Sequence, residues 1–172
     1  MARNLKKKIL LIRSFASLFG VFLLVSNLVC HAQADDKSFG GLPPGQLISQ
    51  KAVKKKLEKK EKFLLLDARP KDSYRTAHIT GAKLPRTEEY YKNEELFRQG
   101  IIPQLPDEDK ALAQQMRQYK KNSEIVTYWN DHCQASVILL YKLGKLGYTN
   151  VRAMDEGFQT WQSHGYPTAS DG

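Results

Sequence analysis

The stretch from Glu124 to Leu146 does most to limit what this 172-residue chain can become. Ile125-Val126-Thr127-Tyr128-Trp129 is β-branched and aromatic, the composition of a strand. A polar turn follows, and from near Ser136 the apolar residues Val137, Leu140, Tyr141 and Leu143 cover most of a helix circumference. That helix is expected to be largely buried, with Gly147 as its C-cap. A strand passing through a short turn into a buried helix points backbone N–H groups and the positive end of the helix dipole at the turn. Cys133 lies in that turn. A thiol so placed is biased toward thiolate, the form that attacks electrophiles, so the turn is where chemistry is expected.

The first 34 residues do not read as part of a fold. Arg3, Lys6, Lys7, Lys8 and Arg13 form a basic start, an apolar run extends from about Phe15 to Cys30, and Ala32-Gln33-Ala34 offers a small-x-small cleavage site before Asp35. This is the layout of a secretory signal peptide, cleaved to leave a periplasmic or secreted protein. The alternative is an uncleaved anchor, the one route by which the chain would meet a membrane, since the run approaches the lower limit for spanning. Removing residues 1–34 leaves 138, one domain with room for a core. The leader takes 5 of the 27 Lys and Arg and none of the 18 acids, so 22 basic residues face 18 acidic ones, a net +4. The high whole-chain charge is thus partly a targeting signal, and nucleic acid is not an expected partner. Cys30 leaves with the leader, so no internal disulfide can form; the remaining Cys133 is a reactive thiol, an intermolecular partner or a bystander.

Residues 35–44 are polar and Gly-rich, end in Pro43-Pro44, and read as a flexible tether. The folded domain is expected over 45–168, with 169–172 as a tail. Gly45 to Ser49 suits a short edge strand, with Ser49 as N-cap of a helix from Gln50 to Lys60. Val53 and Leu57 give that helix a narrow apolar stripe among lysines. Phe63 to Asp67 is a continuous apolar run, as in a strand covered on both faces. A polar stretch continues to His78, and Ala82 to Pro85 is another candidate strand. Thr87 to Tyr119 is expected to be helical in two pieces divided by Pro103 and Pro106. Val151 to Met154 reads as the last strand, and Phe158 and Trp161 mark a closing helix that ends before Gly165. Strands alternating with helices predict an α/β fold with a mainly parallel central sheet and helices on both faces. Ligands of such sheets sit beyond the carboxyl ends of the strands, where Cys133 lies.

Two ordered sets of residues resemble the signatures of rhodanese-like domains. The first is Leu66-Asp67-Ala68-Arg69, Tyr74, Ala77-His78-Ile79-Thr80-Gly81-Ala82 and Leu84-Pro85. The second is Ile125-Val126-Thr127-Tyr128, the loop, Leu146-Gly147-Tyr148-Thr149-Asn150-Val151, Gly157-Phe158, Trp161 and Gly165-Tyr166-Pro167. The resemblance implies a three-layer sulfurtransferase fold in which a cysteine-headed loop cradles a sulfur-bearing anion. In the common pattern the cysteine directly follows the strand-ending tyrosine, a position held here by Trp129. Asn130, Asp131, His132 and Gln134 replace the usual loop residues, and the loop lacks an arginine. Some members carry the cysteine later, before a small residue and serine, and Cys133-Gln134-Ala135-Ser136 is similar to that arrangement.

Cys133 is therefore the expected nucleophile, accepting sulfane sulfur as a persulfide and passing it to a thiol acceptor. Trp129, Asn130, Asp131, His132, Gln134, Ala135 and Ser136 form the surrounding loop. The alternative is a loop cysteine in a non-catalytic module that binds a partner protein or an anion; a mixed disulfide with another exported protein is a third reading. His132 would favour the thiolate and Asp131 would oppose it. Asp67 and Arg69, two apart at a strand's end, suit an ion pair or loop bracing better than substrate contact, and His78 suits a turn brace. Trp129 either lines the pocket mouth or fills space. His78, His132, His164 and Cys133 have no zinc-set spacing, so neither metal nor cofactor is expected. No Gly-x-Ser-x-Gly elbow and no glycine-rich phosphate loop occur, and a cysteine phosphatase would need a loop arginine.

Overall fold

The computed structural model describes residues 42, 44–85, 92, 95, 96, 99, 101–130 and 134–171. After a 3-10 turn at Pro44–Gln46 come β1 (Leu47–Ile48), α1 (Gln50–Glu58), β2 (Leu64–Asp67), α2 (Lys71–Thr76) and β3 (His78–Ile79). The chain continues through α3 (Pro106–Met116), β4 (Ile125–Tyr128), α4 (Gln134–Lys145), β5 (Val151–Met154), α5 (Phe158–Ser163) and β6 (Thr168–Ala169). The strands β1, β5, β4 and β2 lie side by side in that order, every pair parallel. β3 and β6 form a separate antiparallel pair.

The sheet is buried on both faces because its strands are apolar at consecutive positions, and successive side chains point to opposite sides. Leu64, Leu66, Ile125, Val151 and Ala153 pack with Leu112 and Met116 of α3 and with Val137, Ile138, Leu140 and Leu143 of α4. Leu65, Val126, Tyr128 and Met154 pack on the other side with Val53 of α1, Tyr74 of α2, and Phe158 and Trp161 of α5. These two cores give the expected three layers.

Ser49 caps α1 as predicted, accepting a hydrogen bond from the Ala52 N–H at 3.3 Å. Gly147 ends α4's last turn at φ +87°, and Gly81 turns the chain after β3 at φ +84°; both conformations favour glycine. Several expectations are corrected. The polar stretch before His78 contains a helix, α2, whose Tyr74 is buried and donates its hydroxyl to Ala82 O at 2.9 Å. Ala82 to Pro85 contributes one parallel bridge, Lys83 to Leu66, and no strand of its own. As expected, the chain is non-helical over 101–105, through Pro103, and Pro106 opens α3, where its missing N–H costs nothing. The other helical piece expected after Thr87 lies mostly outside the described residues. α4 starts at Gln134, two residues before Ser136. At the ends of the domain, Leu42 of the expected tether is buried in the first core. Ala169 of the expected tail pairs with His78, and the Asp171 N–H donates to Arg75 O at 3.1 Å.

Candidate active site

β4 ends at Tyr128 in the middle of the sheet, and the chain leaves its carboxyl edge through Trp129 and Asn130. Trp129 is half-buried and packs against the first core; Asn130 is half-buried too. Their carbonyls accept hydrogen bonds from Phe158 N at 2.7 Å and Gln159 N at 2.9 Å, the first two amides of α5. Across the turn, Ala135 and Ser136 are fully buried, and Thr127 Oγ1 donates to Ser136 O at 2.9 Å, tying strand end to helix start. Asp131, His132, Cys133 and the side chain of Gln134 lie outside the described residues. Cys133 is nonetheless bonded to Gln134, the first residue of α4.

Beside this turn the end of β2 carries a buried ionic network. Asp67 is fully buried and Arg69 is 4% exposed. Arg69 donates to Asp67 Oδ1 through its backbone N–H at 2.9 Å and Nε at 3.0 Å, and to Oδ2 through Nη2 at 2.7 Å. Nη2 also reaches Ala77 O at 2.6 Å. The Tyr128 hydroxyl donates to Asp67 Oδ2 at 2.6 Å and accepts from Ile79 N at 3.1 Å. The Arg69 guanidinium lies 3.7 Å from the centroid of the Phe158 ring, a cation–π contact. His78 is buried in β3, stacked on Tyr74 at 4.0 Å; its Nδ1 is 2.9 Å from Tyr74 O. A carbonyl only accepts, so Nδ1 carries the proton. These bonds of Asp67, Arg69 and His78 brace the end of β2 against α2 and β3. Among the described residues no group of His, Cys, Asp and Glu is arranged to hold a metal.

Sequence reasoning passed over Tyr128 as a polar participant. The signal was available: a tyrosine ending a strand covered on both faces must find a partner for its hydroxyl. Burial first, then the Asp67 carboxylate, holds the Tyr128 phenol well above its ordinary pKa. The folded state therefore keeps the proton longer than the unfolded chain, which ionises near pH 10. This contribution is complete below about pH 10 and is lost as pH rises through the folded value, by about 1.4 kcal/mol per pH unit. Tyr128→Phe is expected to lower stability at pH 7 by about 1–3 kcal/mol, because Ile79 N and Asp67 each lose a partner. The same variant should show a shallower decline above pH 10 in urea titrations, and an unchanged alkaline slope would contradict the assignment.

A parallel sheet covered by helices on both faces, with a cysteine-bearing turn at the carboxyl end of a central strand, meets a family model described as the Rhodanese-like domain, which matches residues 49–164. The chain belongs to the rhodanese-like family. Solved rhodanese-like structures share the fold. A rhodanese-like domain from Anabaena is 23% identical, covering 73% of this chain and 79% of its own, with a TM-score of 0.52. A Bacillus halodurans protein is 16% identical over 74% of this chain and 78% of its own, at TM-score 0.55. A thiosulfate sulfurtransferase from Pseudomonas aeruginosa is 20% identical over 73% of this chain and 20% of its own, at TM-score 0.50. No curated protein matches the chain. The matched residues of this rhodanese-like domain include β4 and the turn that follows it. Among the described residues, no helix is long and apolar enough to cross a membrane.

Proposed function

We propose that the chain is an exported sulfurtransferase that carries sulfane sulfur as a persulfide on Cys133. The observation that carries the reading is the position of Cys133, one residue before α4 in the family's loop, where helix dipole and backbone N–H groups favour a thiolate. The thiolate attacks the outer sulfur of thiosulfate, the donor S–S bond breaks, and sulfite leaves with the bonding pair. An acceptor thiolate then attacks the outer sulfur of the persulfide, forming the acceptor's persulfide and restoring the Cys133 thiolate. A low-molecular-weight persulfide serves equally as donor, with a thiolate as the leaving group. The basic start, apolar run and Ala32-Gln33-Ala34 of the leader support export.

Intact mass after incubation with either donor should show one added sulfur atom, removed by excess thiol, and Cys133→Ser should show none. A protein that gains no sulfur from either donor would overturn the proposal. One observation favours a second reading, a non-catalytic module that binds a protein or an anion: from Trp129 to Ser136 the loop has no arginine or lysine. Cys133 alkylation separates the two, since the module's thiol should titrate near the unperturbed value of about 8.5 and the enzyme's well below it.

A further inference from the structure

We propose that Gln50 is a positioning residue for the entry of the Cys133 loop, acting through Gly157 and the first amides of α5. The inference rests on the reading of that loop as the reactive one. Gln50 begins α1 and is 3% exposed, a rare degree of burial for a glutamine on a helix otherwise crowded with solvent-facing lysines. Its Nε2 donates to Gly157 O at 2.7 Å, across 107 residues of sequence. Its Oε1 is buried with no partner among the described residues. A buried amide that satisfies only half its capacity is a poor stability device, because the unmet acceptor carries a desolvation cost. What it delivers is the placement of one carbonyl.

That carbonyl belongs to the residue that caps α5. Gly157 follows Glu156, which is held at φ +60°, so the chain changes direction sharply just before the helix. The next two N–H groups would be unsatisfied ends of an ordinary helix. Here they donate to Trp129 O and Asn130 O at 2.7 and 2.9 Å, the first two carbonyls of the loop. Further anchors fix the same junction: Asp155 N donates to Ile48 O at 2.8 Å, and the Phe158 ring faces Arg69. The loop entry is therefore located by α5 as well as by its own strand, and α5's first turn is located by Gln50. Gly157 O also accepts from Trp161 N at 3.1 Å, a bond internal to α5. The Gln50 bond ties that carbonyl to another element, and it can be released without removing core volume.

The test uses Gln50→Met, which keeps the length and burial of the side chain and removes the donor. Gln50→Glu is a second variant that keeps a polar group, and its charge suits the start of α1. Burial next to a carbonyl favours the protonated form of the new carboxyl, which can still donate to Gly157 O, so Gln50→Glu should come closer to the wild type as pH falls and resemble Gln50→Met as pH rises. Amide exchange at Phe158 and Gln159 should rise at least tenfold in folded Gln50→Met, and the rate of Cys133 alkylation should change at least threefold with its pH midpoint displaced. A Gln50→Met variant that melts like the wild type and keeps wild-type exchange at those amides, or wild-type alkylation, would overturn the proposal. Failure of the sulfurtransferase reading looks different: an ordinary thiol titration and no sulfur adduct in the unsubstituted protein, with amide exchange still responding to Gln50.

Discussion

Asp67→Ala is expected to cost about 3–5 kcal/mol of stability, a large part of the roughly 5–15 kcal/mol that holds a domain of this kind. Removing the carboxylate leaves the Arg69 guanidinium in an almost dry site, facing the Tyr128 hydroxyl with no acceptor between them. The loss arises from stranding a charge and a hydroxyl, so its size depends on what remains. Asp67→Asn should cost nearly as much, because an amide accepts at one atom only and turns N–H groups toward the guanidinium. Replacing both charged partners with apolar residues of similar volume should recover much of the loss. Urea unfolding of the three variants checks the order. A cost below about 1 kcal/mol for Asp67→Ala would mean that the pair is solvated and cheap to break.

Phe158→Ala is expected to destabilise by about 3–5 kcal/mol, the usual range for truncating a buried aromatic. Phe158 is 3% exposed in the second core, 6.4 Å from the Tyr128 ring and 3.7 Å beneath Arg69. The lost contact with the guanidinium adds to the cavity, so this substitution and Arg69→Met should not be additive; coupling of about 0.5–2 kcal/mol is expected. A double-mutant cycle measures it. Additive costs would show that the ring and the cation are neighbours without interaction. Phe158→Leu keeps most of the volume and should cost far less, which separates packing from the cation contact.

The parts of the fold legible in the sequence are those where one physical signal dominates. Leu64 to Asp67 and Ile125 to Tyr128 are apolar enough to be read as strands covered on both sides, and Ser49 is an N-cap by its chemistry and by its geometry. The rhodanese-like family was legible from two ordered sets of residues spread over most of the domain. What escaped depends on distant partners. α2, only six residues long, shows little amphipathic pattern, and β3 exists because Thr168 and Ala169 return to pair with it. At the site, neighbours such as Asp67 and Arg69 are visible as a motif, but Tyr128 joins them across 61 residues and Gln50 meets Gly157 across 107. No local rule reports such meetings. Gln50 lies three residues before Val53 and seven before Leu57, on the inward stripe of α1, but a glutamine there does not tell which distant carbonyl it will meet.

The pairing of the end segments also bears on how the chain reaches its native state during synthesis from the amino end. β1 has a single partner strand, β5, in the register Leu47 to Ala153, and β3 waits for β6. Neither bond set can form until its partner, β5 or β6, both in the last quarter of the chain, has been made. Long loops must close before those contacts contribute, which favours slow folding. Until then the apolar edges of β1 and β3 have nothing of their own to pair with. β2 and β4 can pair earlier, but the two end strands β1 and β3 stay unpaired, and the fold closes only as the final residues arrive.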